Sequence, residues 1–294
     1  MYDNQKLSIR CGILMVSALL AGTSPAVLAA DLAGPRGAAY EAYQPHSPAH
    51  RNFYVRGDIG IGRHSSGSFS QEELAANGGT FISQSIGDAV IIGAGLGMQI
   101  NQRFRLDLTG EYRSTAQIKG MDNVTAEIIG PDGSLQANTL YQGNLTSYVG
   151  LLNGYVDLFN WRGFTPYVGA GVGFAKHRMA DFTTSSSATF TDAATGAQTV
   201  QLSNGTARPN SQTNFAWALM AGTSYDLSSN AKLDLGYRYI NLGSGTSAMT
   251  GLIDCTCGTI GQPLKLADLE AHEFRIGIRW SLGAEPSQVY RALK

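Results

Sequence analysis

From Glu273 to Leu282 the chain alternates without a miss: Glu273, Arg275 and Arg279 share one parity, while Phe274, Ile276, Ile278, Trp280 and Leu282 share the other. A period of two belongs to a strand whose faces meet different surroundings. Here one face is wholly apolar and the other carries charges, which is the dyad pattern of a strand that crosses a membrane. Half-buried strands of soluble sandwiches also alternate, so repetition along the chain carries more weight than any single segment.

The pattern recurs in Phe53 to Gly62, Ala89 to Ile100, Phe104 to Arg113, Tyr148 to Leu158, Tyr167 to Ala175, Phe215 to Leu227 and Lys232 to Asn241. With Glu273 to Leu282 these make eight segments, each about the 9 to 11 residues that a tilted strand needs to span hydrocarbon. Their connections alternate in length. Asn101-Gln102-Arg103, Phe159 to Gly163 and Leu227 to Asn230 are short and rich in turn-forming Asn, Ser and Gly. Arg63 to Asp88, Ser114 to Ser147, Lys176 to Asn214 and Leu242 to His272 run to roughly 25 to 40 residues each, more than a compact soluble domain carries without a purpose. Short turns on one side and long loops on the other predict an all-β fold: an eight-stranded antiparallel up-and-down transmembrane β-barrel with periplasmic turns and four external loops.

Lys6 and Arg10 precede an apolar stretch from Cys11 to Ala21, and small residues follow Pro25 up to Ala29 and Ala30. That reads as a signal peptide over residues 1–29, removed on export. Residues 30–51 hold Pro35, Pro45 and Pro48 and read as a periplasmic linker, 52–282 as the barrel and 283–294 as a tail. Beyond the N-terminus no uncharged apolar run reaches the ~18 residues of a helical span. The net charge of −1 gives no electrostatic case for nucleic acid as a partner. Once Cys11 leaves, Cys255 and Cys257 remain as a pair in an oxidising compartment, where a disulfide is the expectation and two free thiols the alternative. No further Cys or His lies near enough in sequence to suggest zinc, and no cofactor or metal is expected.

Three strands carry a family likeness: Phe53-Tyr54-Val55-Arg56-Gly57-Asp58-Ile59-Gly60, Pro166-Tyr167-Val168-Gly169-Ala170-Gly171-Val172-Gly173-Phe174 and Leu233-Asp234-Leu235-Gly236-Tyr237-Arg238-Tyr239. The chain resembles the eight-stranded outer-membrane β-barrel family of small alphaproteobacterial surface porins and surface antigens, similar in architecture to the opacity-type barrels. The likeness spans roughly Arg51 to Leu282 and specifies strands, not a reaction. It implies an outer-membrane location, the barrel assembly machinery as a partner, and a place among surface proteins that include porins, adhesins and haemin binders. In one respect the chain departs: such barrels commonly end on an aromatic residue, whereas Gly283 to Lys294 follow Leu282 here. Either Trp280-Ser281-Leu282 serves as an internal assembly signal or the tail is tolerated beyond it.

The alternation assigns an inward set of both signs. Arg56, Arg105, Arg113, Lys232, Arg238, Arg275 and Arg279 face Asp58, Asp107, Glu111, Asp157, Asp226, Asp234 and Glu273. An eight-stranded barrel is just wide enough inside for side chains to fill it, so these charges are expected to pair across a plugged or very narrow lumen. The alternative is a small water-filled pore, with Gly93, Gly95, Gly97, Gly169, Gly171 and Gly173 leaving room. Aromatics are expected as girdles, with Phe53, Phe104, Phe159, Trp161 and Phe164 on the turn side and Tyr112, Tyr148, Phe215, Trp217 and Tyr239 toward the loops.

In the second and third loops, Val124 to Leu140 and Ser187 to Leu202 read as strand, turn and strand, continuing the wall outside the membrane. His64 and Ser66 at the first loop, and His272 beside Glu273, are the residues that could suggest a base and nucleophile, but no positioned carboxylate goes with them and no catalysis is expected. His177 and Arg178 could together hold an anionic ligand such as haemin. The reading is a structural outer-membrane surface protein, with weak pore activity left open; the alternatives are an adhesin or ligand binder working through its loops and, behind that, a lipid-modifying enzyme. Partners expected are outer-membrane lipid and lipopolysaccharide, and a host or surface ligand at the loops.

Overall fold

The computed structural model describes residues 52–65, 67–76, 78–127, 133–247, 250–252 and 263–282. Cys255, Cys257, Ser66, the leader, the linker and the tail lie outside them. In chain order the elements are β1 (Asn52–His64), β2 (Ser68–Ser70), α1 (Glu72–Ala76), β3 (Thr80–Ile86), β4 (Ala89–Gln99), β5 (Phe104–Glu127), β6 (Ser134–Asp157), β7 (Phe164–Thr191) and β8 (Gln198–Ala207). They continue as β9 (Asn210–Asp226), β10 (Ala231–Asn241), β11 (Gly245–Thr246), β12 (Thr250–Leu252), β13 (Lys265–Ala267) and β14 (Glu270–Ser281).

Eight of these strands close a ring, in the order β1, β4, β5, β6, β7, β9, β10, β14 and back to β1, every pair antiparallel. Closure leaves no unpaired edge, the one way a sheet can cross hydrocarbon. Side chains set the tight turns. Asn101 Oδ1 accepts from the backbone N–H of Arg103 and of Phe104, both at 2.8 Å. Between β6 and β7, Arg162 and Gly163 both take positive φ, 51° and 87°, which glycine adopts without strain.

Each ring strand places a large apolar side chain outward: Ile59, Leu96, Leu108, Leu152, Val172, Leu219, Leu235 and Ile278 are all exposed. A continuous belt of this kind on a protein in water would be an aggregation surface; on a barrel it is the face toward lipid. Aromatic pairs border it. Tyr112 and Tyr148 lie 5.5 Å apart, Phe174 and Phe215 6.5 Å and Trp217 and Tyr239 5.5 Å toward the loops, while Phe164 and Tyr225 lie 4.6 Å apart on the turn side. Leu235→Arg puts a cation in that belt and is expected to cost about 2–4 kcal/mol of folding into lipid vesicles. The same cation at Ser229, in the exposed turn outside the belt, meets only water, so equal effects of Leu235→Arg and Ser229→Arg in a urea titration would refute the assignment of faces.

Three strands far exceed a bilayer crossing. β5 and β6 run to 24 residues each and β7 to 28, so the second and third loops are largely continuations of the wall. Past Ile91, β4 gives up its place on β5 to β3; past Asn210, β8 replaces β9 on β7. Outside the membrane the ring therefore opens into a sheet ordered β12, β8, β7, β6, β5, β3. β8 pairs with β7 only beyond the end of β9 and stays out of the ring, which keeps eight strands.

The first and fourth loops do something the sequence did not suggest. β2, β13 and β11 form a separate three-stranded sheet, a cap packed into the outer mouth. Its Phe69, Leu264 and Leu266, with Ile86, Leu242 and Leu269, pack against inward residues of the wall that include Ile118, Leu145, Val149, Leu151, Met179, Phe182 and Ile240. Fully burying each large apolar side chain contributes about 1.5–3 kcal/mol, enough to hold the loops over the lumen.

Candidate functional site: the lumen and its cap

Inward side chains change character along the barrel axis. Nearest the turns, Arg105 is held by Asp157 at 2.8 Å and lies against the Tyr155 and Tyr167 rings, 4.7 Å and 5.1 Å from their centroids. Arg279 reaches Asp234 at 3.2 Å and donates to Ser224 Oγ at 2.9 Å, while the Ser224 hydroxyl itself donates to Asp234. Lys232 and Asp226 pair at 2.6 Å at the half-exposed turn end, where water reduces the value of the pair.

Deeper in, the charges form one alternating chain. Asp107 accepts from Arg56 at 2.8 Å, Arg56 also donates to Asp58 at 2.5 Å, and Arg275 links Asp58 at 3.2 Å to Glu111 at 2.7 Å. Arg238 grips both oxygens of Glu111, at 2.7 and 2.5 Å, and donates through Nε to Glu273 at 2.7 Å. Glu273 then takes Arg113, the end of the chain. Four cations and four anions thus tie β5 across the interior to β1, β10 and β14. The bidentate contact of Arg238 with Glu111 is the strong form of such pairs, whereas Arg56, Arg113 and Arg275 each keep at least one buried guanidinium nitrogen without a hydrogen-bond partner.

All twelve residues marked from the sequence, Arg56, Asp58, Arg105, Asp107, Glu111, Arg113, Asp157, Asp234, Arg238, Glu273, Arg275 and Arg279, point inward and take part in these pairs. The glycines do not open a pore. A Cβ on Gly97 would collide with the Tyr54 ring, and one on Gly93 would press on Arg275, Glu111 and Asp58 at 3.2–3.3 Å. Their missing side chains are the space that the charged and aromatic groups fill. The cavity left among Arg56, Asp58, Glu111, Tyr155, Asp234 and Arg275 measures about 20 Å³, room for about one water. Above it the apolar cap packs into the outer end.

Two histidines join these layers. Both continue the inward parity of their strands just beyond the apolar belt, flanked on the outward face by Arg63, Lys176 and Arg178. His64 Nδ1 bonds the Gly87 carbonyl at 2.9 Å. His177 accepts the Ser147 hydroxyl at Nδ1, 2.7 Å, and donates Nε2–H to the Leu242 carbonyl at 2.9 Å. This corrects one expectation. His177 is buried with both nitrogens engaged while Arg178 points outward, so opposite parity keeps them from sharing a ligand. His64 is a buried anchor and not a base at the surface. Ser147 and His177 have the spacing of a nucleophile and base, but both are buried and the orienting group is a backbone carbonyl, so the pair fastens the cap. His272 bonds the Tyr237 hydroxyl on the lipid side, at 2.5 Å, and faces away from Glu273.

Burial, and next to it Arg113, holds His64 below the ordinary histidine range; burial also lowers His177. A depressed histidine is neutral in the fold, and the stability this represents is present above the unfolded value near 6.5 and lost as pH falls through the folded one. The cap is therefore expected to loosen on acidification from pH 7 to pH 5, read as faster amide exchange at Gly87 and Leu242, with His64→Gln and His177→Gln together removing the pH dependence. A pH-independent rate in the parent would contradict the assignment.

A closed ring of eight membrane-crossing strands, filled with paired charge and capped outside, defines an outer-membrane β-barrel. The family model described as "Outer membrane protein beta-barrel domain" matches residues 26–281, and the chain belongs to that family. An uncharacterized protein of Brucella suis is 32% identical over 213 residues, covering 68% of this chain and 71% of its own length. The outer membrane protein PagN of Salmonella typhimurium is 28% identical over 179 residues, covering 60% and 66%. A putative adhesin of Rickettsia bellii is 24% identical over 233 residues, covering 79% and 88%. The protein is located in the outer membrane.

Proposed function

We propose that this is a non-conducting surface barrel that works through its external β-structure as an adhesin-type contact with extracellular ligands. The observation that carries the reading is the filled lumen: an alternating chain of Arg and carboxylate side chains below, an apolar cap above, and space for about one water between the charges. A barrel closed in this way offers solutes no path, which leaves its surface as the working part. The wall extends outside the membrane as a broad sheet whose outward face is rich in hydroxyl and amide groups, among them Asn123, Asn138, Ser185 and Asn204, joined in pairs at 2.8 and 2.9 Å. Exposed amides and hydroxyls on a rigid scaffold suit a binding surface, and the name of the Rickettsia relative points the same way.

The test is adhesion of a non-adherent bacterium displaying the parent or a variant in which the β7–β8 hairpin from Ser185 to Asn204 is replaced by a short turn. That segment lies wholly outside the ring, so the barrel should still insert. The parent is expected to confer attachment to cultured host cells and the truncation to abolish it. Equal attachment by both, or by neither, would overturn the reading.

A further inference from the structure

Among the described residues, every inward arginine is held by a carboxylate, but Lys176 and Arg178 have none within ion-pair distance. Both are exposed on the outward face of β7, two positions and so roughly 7 Å apart along the strand. Register defines their surroundings. Tyr148 on β6 and Thr213 on β9 flank Lys176; Thr146 and Ser211 flank Arg178. One level toward the membrane lies the edge-to-face pair Phe174 and Phe215. The nearest acid along β7, Asp181, accepts from Asn144 at 3.0 Å and lies farther from the membrane.

We infer that this patch binds a phosphorylated glycolipid of the outer leaflet, with the phosphate between Lys176 and Arg178 and the acyl chains along Val172, Phe174 and Trp217. The order of chemistry along the outward face supports it. Going outward from the belt there is an apolar layer, an aromatic layer, a pair of cations flanked by hydroxyls, and then hydrogen-bonding groups, Gln142, Asn144 and Thr183, with Asp181 engaged by Asn144. A cation pair just past the aromatic girdle is at headgroup height. The amide and hydroxyl rows above it match sugars, which a simple anionic phospholipid would not extend far enough to reach. Arg178 in particular supplies the planar fork that suits phosphate.

The full chain is placed in phosphatidylcholine nanodiscs and titrated with lipid A carrying both phosphates, with the same lipid A dephosphorylated, with phosphatidylglycerol and with soluble heparin. The parent is expected to retain the phosphorylated lipid A preferentially, and Lys176→Gln with Arg178→Gln to weaken that retention roughly thirtyfold while leaving the dephosphorylated form unchanged. Both residues are exposed, so heat-modifiable mobility should show an intact barrel; Arg103→Gln on the turn side controls for loss of charge alone. If the parent does not distinguish the two forms of lipid A, or holds phosphatidylglycerol equally well, the inference fails. It fails also if the double variant keeps its preference, or if the substitutions weaken heparin binding instead of lipid A retention, which would assign the cations to a polysaccharide. None of these outcomes depends on whether the hairpin is an adhesin surface.

Discussion

Glu273→Ala is expected to lower the stability of the barrel by about 3–5 kcal/mol, because it leaves a buried guanidinium without its carboxylate. Arg238 would still have Glu111, but Arg113 has Glu273 as its carboxylate and is itself fully buried. The cost is that of an uncompensated charge, not of a lost contact. Replacing both members, Arg113→Met with Glu273→Met, should therefore be much less damaging than the single change, since apolar side chains of similar volume can replace a buried pair at little cost. The site also lies next to the apolar cap, through His64 and Ile91, which favours the exchange. Urea midpoints in lipid vesicles measure both variants; a single substitution no worse than the double would mean that water already screens these charges.

Leu266→Ala is expected to cost about 2–5 kcal/mol, the range for deleting a buried leucine side chain, and to spend it locally. Leu266 is fully buried in β13 and pairs with Phe69 of β2, nearly two hundred positions away in sequence. Loosening it should expose the first and fourth loops to protease while the lower ring keeps its protection, because the Arg–carboxylate chain is held by its own ion pairs. Limited proteolysis of intact vesicles reads this directly. Loss of the whole ring's resistance would mean that cap and barrel unfold as one unit.

These two sites differ in how far the sequence announced them. The charged interior was legible because alternation fixes parity within a strand, and Asp107, Glu111, Arg113, Arg238 and Glu273 all occupy the parity opposite a lipid-facing apolar set. Parity cannot name partners: that Arg238 bridges Glu111 and Glu273 depends on the ring's register, which no single strand contains. The cap was missed although a sign of it was present. Tyr148 to Leu152 and Phe215 to Leu219 are apolar or small on both faces, so the inward face there needed an apolar partner from elsewhere. The three-residue strands that provide it are too short to show a period. The same parity, carried past the membrane, would have placed His64 and His177 inside. The outer strands at Val124 to Glu127 and Leu135 to Leu140 were legible, whereas Ser114 to Asn123, which joins the first of them to the membrane strand, was not, because the bulge between Arg113 and Ala116 breaks the alternation there.

The closed lumen is tested most directly by single-channel recording of the purified full chain in planar bilayers. It predicts no steady unitary current from the parent, and none from Leu266→Ala, since the paired charges below the cap remain. Stable unitary currents from the parent, with a shift toward cations in Arg275→Ala and no loss of that variant's stability, would contradict it and make the interior a hydrated pore.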